Sequence, residues 1–100
     1  MSLKVIFTDD ATDILLSIAN FIENKWGLKQ AEKFLKKTYK TLDLISDHPY
    51  MFKASSIKED IRIGLISKQT SFFYKIEENE ILILFFLDNR QEPMFNNFPI

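Results

Sequence analysis

Apolar residues recur along this chain at two different periods, and the change of period divides it. In the first half they fall three and four apart, at Ala11, Ile14, Leu15, Ile18, Phe21, Ile22 and Trp26. That spacing lines one face of a helix. Thr8, Asp9 and Asp10 in front of it offer a capping oxygen and negative charge, both favourable at a helix N-terminus. Gly27 behind it can take the positive φ that ends a helix. A second helical pattern follows at once, with Ala31, Phe34, Leu35, Thr38, Leu42 and Ile45 on its inner face and Tyr39 beside it. His48-Pro49 closes it, because a residue before proline is pushed out of the α region. The short join at Gly27 predicts an antiparallel helical hairpin, with Trp26 as a core anchor closing it.

The remaining apolar runs are short and β-prone. Lys4–Thr8 precedes the helices; Ile61–Ser67, Thr70–Ile76 and Ile81–Leu87 follow a loop of no clear period at Tyr50–Asp60. Lys68-Gln69 suits a tight hairpin, and Glu77–Glu80 a turn in which Asn79 tolerates positive φ. The order β-α-α-β-β-β predicts an α+β fold, one domain over residues 1–100, with the helical hairpin on one face of an antiparallel sheet. Ile81–Leu87 is seven apolar residues without a break. It is too short to span a membrane and suits a central strand. Simple alternation puts Ile81, Ile83, Phe85 and Leu87 on one face and Leu82, Leu84 and Phe86 on the other. The second face then needs a cover, either the apolar residues of 94–100 or a partner chain.

Composition narrows the class. With no cysteine among 100 residues, disulfides and thiolate metal sites are excluded. No signal-peptide pattern opens the chain, so a cytoplasmic protein without a metal or cofactor is expected. The net charge of −1 hides an asymmetry: Lys29, Lys33, Lys36, Lys37 and Lys40 share the outer face of the second helix. That face is either solvated or a surface for an acidic partner.

Taken in order, these segments resemble the RelE/ParE superfamily of bacterial toxins. The resemblance spans nearly the whole chain. It runs from Ala11 with Ile14-Leu15, through Phe21-Ile22, Trp26-Gly27, Ala31 with Phe34, and Leu44-Ile45 to Pro49. It continues with Ile61-Arg62, Phe73-Tyr74-Lys75-Ile76, Ile81 with Ile83-Leu84, and closes on Asp88-Asn89-Arg90-Gln91-Glu92-Pro93. The resemblance implies the toxin of a type II toxin–antitoxin (plasmid stabilisation) module, neutralised by a cognate antitoxin. Two activities belong to the superfamily: ParE-like members bind DNA gyrase, and RelE-like members cut mRNA on the ribosome.

Cleavage through a 2′-hydroxyl needs a base, an acid and positive charge on the phosphate. The residues available for it are Arg62, Lys75 and Arg90 as cations and Tyr74 as an acid. Tyr74 also reads as a core ring with its hydroxyl at the rim. Arg62 reads equally as a surface ion pair with Glu59 or Asp60, and Arg90 as the structural partner of Asp88. His48, beside Pro49, reads as exposed. Ser71 and Asn89-Arg90 stand where the nuclease branch resembled here has a catalytic arginine and a terminal histidine. A pI near 5.8 is low for a ribosome binder. The expectation is therefore a ParE-like gyrase binder, with the ribosome-dependent endoribonuclease as the alternative. Its partner-binding residues are the five lysines and Arg90.

Overall fold

The computed structural model describes residues 2–56, 58 and 60–90. The elements follow the predicted order: β1 (Lys4–Phe7), α1 (Asp9–Trp26), α2 (Leu28–Asp47), β2 (Ile61–Leu65), β3 (Thr70–Ile76) and β4 (Glu80–Asp88). Strands β2, β3 and β4 form an antiparallel meander, and β1 joins β4 in parallel, so the sheet is mixed, ordered β1-β4-β3-β2. β4 is thus central, as its apolar run predicts. Among the described residues no helix is long and apolar enough to cross a membrane.

Local chemistry sets the helix ends. The Thr8 hydroxyl accepts the Ala11 N–H at 3.0 Å and caps α1. Gly27, at φ 98°, ends α1 by donating its N–H to Glu23 and opens α2 in the same residue. The buried stripes of the hairpin, Ala11, Ile14, Leu15, Ile18 and Ile22 with Ala31, Phe34, Leu42 and Ile45, cover one face of the sheet. Thr38 is buried among them because its hydroxyl bonds back to the Phe34 carbonyl at 2.9 Å.

Strand β4 departs from simple alternation. Tyr74 pairs with Ile83 and Phe73 with Phe85, which leaves Leu84 as an extra residue. This is a β-bulge. Beyond it the faces exchange: Phe86 and Asp88 point to the helices, and Phe85 turns to the outer face to stack on Phe73 at 4.5 Å. The freed Leu84 carbonyl accepts the Thr8 hydroxyl at 2.7 Å, so one side chain caps α1 and fixes the bulge. The outer residues Leu82, Leu84, Phe85 and Leu87 are half-buried. The predicted cover at 94–100 lies outside the described residues.

Three smaller expectations are corrected. Trp26 is 51 % exposed and packs edge-on against Phe21, because the space beneath the end of α1 is an open cleft. β2 ends at Leu65, since the Ile66 and Ser67 N–H groups both turn to the Thr70 carbonyl. The Glu77–Glu80 turn closes through Glu77 N–H to Glu80 O at 2.8 Å, and no described residue other than glycine takes a positive φ. At Gly64 the need is for space: a Cβ there would lie 2.3 Å from the Phe72 ring, which is itself fully buried. Gly64→Ala is expected to cost about 1–3 kcal/mol, the range for overpacking a filled core, read as a lowered urea midpoint with an unchanged slope.

Candidate functional site

The end of β4 is built around Asp88, whose side chain is fully buried. The bulge directs it inward beside Thr70, its cross-strand partner. A buried carboxylate needs compensation, and Arg90 supplies it as a two-pronged clamp: Nη2 to Oδ2 at 2.6 Å and Nε to Oδ1 at 3.0 Å. The Arg90 backbone N–H adds a third bond at 2.9 Å, and the Thr70 hydroxyl donates at 2.5 Å. Arg90 Nη2 also reaches the Thr70 oxygen at 3.2 Å, and Asn89 N–H ties the turn to the Gln69 carbonyl. Burial opposes ionisation of Asp88. The bonds from Arg90 and Thr70 outweigh it and hold the carboxyl below the ordinary carboxylate range.

The sign of the linkage follows. Asp88 binds its proton less readily folded than unfolded. The clamp's contribution to stability is therefore complete above about pH 4, the unfolded value, and is lost as pH falls through the lower folded value. Unfolding free energies measured between pH 7 and pH 2 should fall in this acid window. The fall should be smaller in Asp88→Asn, which has no proton to gain.

Arg90 opens onto a cleft of about 520 Å³ between the tip of the helical hairpin and the β2–β3 turn. Ile22, Phe34 and Ile66 give it an apolar floor, and Trp26, Lys33 and Lys37 stand around it. The Arg90 guanidinium lies 5.9 Å from the Phe34 ring centre, within reach of cation–π attraction. Of the five predicted lysines, Lys33 and Lys37 line this cleft with Arg90; Lys29, Lys36 and Lys40 do not.

The predicted nuclease residues are not gathered in one place. Arg62 and Tyr74 are cross-strand partners. The Tyr74 ring is fully buried, and its hydroxyl donates to the Pro49 carbonyl at 2.8 Å. Burial raises its pKa above the usual tyrosine value, more than the nearby Arg62 charge lowers it. Arg62 does not pair with Asp60. It shares the helix-side face with Tyr74, so its Nη1 reaches the Phe52 carbonyl at 2.6 Å and its guanidinium stacks over Tyr50. Asp60 instead meets Lys75, on the opposite face of the sheet, at 3.5 Å. The alternative partner Glu59 lies outside the described residues. Arg90 is anchored at Thr70, four residues along β3 from Tyr74, or about 13 Å at strand rise.

Comparison with known proteins decides the family. The model of the ParE toxin of type II toxin–antitoxin systems, parDE, matches residues 5–93. The chain belongs to the ParE toxin family. Its fold is shared with a solved structure described as a chromosomal ParDE toxin–antitoxin system from P. aeruginosa. That chain is 16 % identical, with a TM-score of 0.75, over 87 % of this chain and 96 % of that one. The YoeB dimer of Staphylococcus aureus is also similar, at 16 % identity and a TM-score of 0.62, over 88 % and 97 % of the two chains. No curated protein sequence matches significantly. In this ParE family member, sequence reasoning missed Trp26 and Thr70 at the cleft end of the molecule. Thr70 carried no signal of its own, since only the strand register sets it opposite Asp88.

Proposed function

We propose that this ParE family member is the toxin of a two-component module, that it arrests growth by binding DNA gyrase, and that a cognate antitoxin holds it inactive. The observation that carries binding over chemistry is the commitment of each residue a nuclease would use. The Tyr74 proton is given to a backbone carbonyl, Arg62 to another, Lys75 to Asp60 across the sheet, and Arg90 to Asp88. General acid–base cleavage needs an acid, a base and cations around one phosphate, and these four groups do not surround one. Binding needs only a surface, and the cleft lined by Lys33, Lys37 and Arg90 offers one among the described residues. Lys29, Lys36 and Lys40 extend the positive charge along α2.

Two assays test the reading. The purified chain in molar excess is expected to inhibit supercoiling by gyrase, and full supercoiling at that excess overturns the gyrase target. The same preparation on programmed ribosomes is expected to leave mRNA intact. New mRNA ends that vanish in Arg90→Lys would instead establish the endoribonuclease.

A further inference from the structure

The outer face of α2 carries its charges in an order that does not suit a helix standing alone. Lys29, Lys33, Lys36, Lys40, Asp43 and Asp47 fall three and four apart, so they form one row along the helix, and all are exposed. The row is basic from its start to Lys40 and acidic beyond. The macrodipole favours the opposite, acids in the first turn and bases in the last, and α2 has neither. Neighbours along the row also repel: Lys29 with Lys33, Lys36 with Lys40, and Asp43 with Asp47 are like charges at i, i+4. Among the described residues none of the row is in an ion pair. Asp47 accepts the Ser2 hydroxyl on Oδ1, which leaves Oδ2 to meet a lysine.

A row in this order complements itself when reversed. Laid antiparallel on a second copy of α2, with a two-fold axis between Thr41 and Leu42, it sets Lys36 opposite the partner's Asp47 and Lys40 opposite the partner's Asp43. The symmetry repeats each pair, as in any isologous contact. Tyr39 and Leu44, both exposed, stand on the two flanks of the row and share the same midpoint. The two-fold brings each flank against its own copy, so Tyr39 rings border the ion pairs on one side and Leu44 side chains on the other. The flanks supply apolar area, and the charges fix direction and register. Duplex DNA would suit only the basic half, since Asp43 and Asp47 repel phosphate along the same line. A second copy uses both signs.

We propose that two copies of this chain associate through the row, α2 against α2 in opposite directions. From Lys36 to Asp47 the contact spans roughly 16 Å of helix, well short of a standard interface. The dimer is therefore weak, forms at micromolar concentrations or above, and loosens in salt. Lys33 and Lys37 lie outside the pairing and stay with the cleft. The inference stands apart from the gyrase reading, because it needs no partner but the chain itself.

Sedimentation equilibrium of the full chain tests it. The mass is expected to rise toward twice the monomer's with concentration at low salt, and to fall back at about 0.5 M salt. Lys36→Glu/Lys40→Glu makes the paired part of the row wholly acidic, and Asp43→Lys/Asp47→Lys makes it wholly basic. Each variant is expected to weaken self-association about tenfold or more. Mixed in equal amounts, the two are expected to associate at least as tightly as the original, because each row then meets its opposite. All four positions are exposed, and circular dichroism checks that each variant has folded. Lys40→Glu and Asp43→Lys alone repeat the exchange if a double variant does not fold. The proposal is overturned if the original stays monomeric up to about 1 mM, if either folded variant associates as strongly as the original, or if the mixture stays monomeric.

Discussion

Arg90→Ala is expected to destabilise the fold by about 3 kcal/mol or more, the cost of leaving one member of a buried ion pair alone. The Asp88 side chain is fully buried, and without the guanidinium it keeps the Thr70 hydroxyl and the residue-90 backbone N–H as donors. The carboxyl would then give up its depressed pKa and take a proton more readily, so the acid window of stability should shrink as well. Urea unfolding at pH 7 and at pH 3 checks both effects. The difference between Arg90→Ala and the original should be large at pH 7 and smaller at pH 3. A loss below 1 kcal/mol at pH 7 would mean the clamp is not formed in solution. Asp88→Asn/Arg90→Ala removes both charges and is expected to recover part of the loss, because breaking a buried pair costs more than replacing it. Any loss of toxicity in Arg90→Ala therefore has to be read beside its stability.

Phe86→Ala should cost about 3–5 kcal/mol, the range for emptying an aromatic site in a filled core. Phe86 is fully buried, with its ring centre 5.9 Å from Phe7 and 6.1 Å from Phe72. Phe85→Ala should cost distinctly less, because Phe85 is only half-buried and its ring stacks on Phe73 of the outer face. Uniform alternation along β4 from Ile81 would predict the reverse order. Thermal or urea unfolding of the two variants side by side decides it, and a larger loss at residue 85 would place the bulge elsewhere.

Much of the architecture was legible in the sequence. The helices declare themselves through spacing, through Thr8 and Gly27 at the ends of α1, and through His48-Pro49 after α2. The β-order follows from short apolar runs separated by turn residues, and the family from the succession of both. What was not legible depends on distant parts of the chain. Nothing local to Lys4–Phe7 says that it lies parallel to β4, since its partner is more than seventy residues away in the chain. Trp26 carries the helical period of a core residue, but the floor beneath it is open, and period alone does not reveal a cleft. Arg62 and Asp60 are two apart in sequence and were natural partners on paper. Strand geometry instead sends Arg62 to the helix side and pairs Asp60 with Lys75. Of the candidate site, Arg90 with Asp88 was visible as a pair, and Lys33 and Lys37 as part of a charged face. Their convergence on one cleft required the fold.

The extra residue at Leu84 has one more consequence, and it concerns counting. In a strand, odd and even positions belong to opposite sides, so whatever closes the strand inherits its side from the number of residues before it. Counted evenly from Ile81, Asp88 would face away from the helices, and Arg90 with it. The inserted residue reverses that parity, which is why the charged end of β4 meets Phe34 and the two lysines of α2. A chain lacking residue 84 could keep Asp88-Asn89-Arg90 letter for letter and still offer its arginine to the wrong side of the sheet. The closing motif says which chemistry this protein carries, and a single residue without chemistry of its own says where.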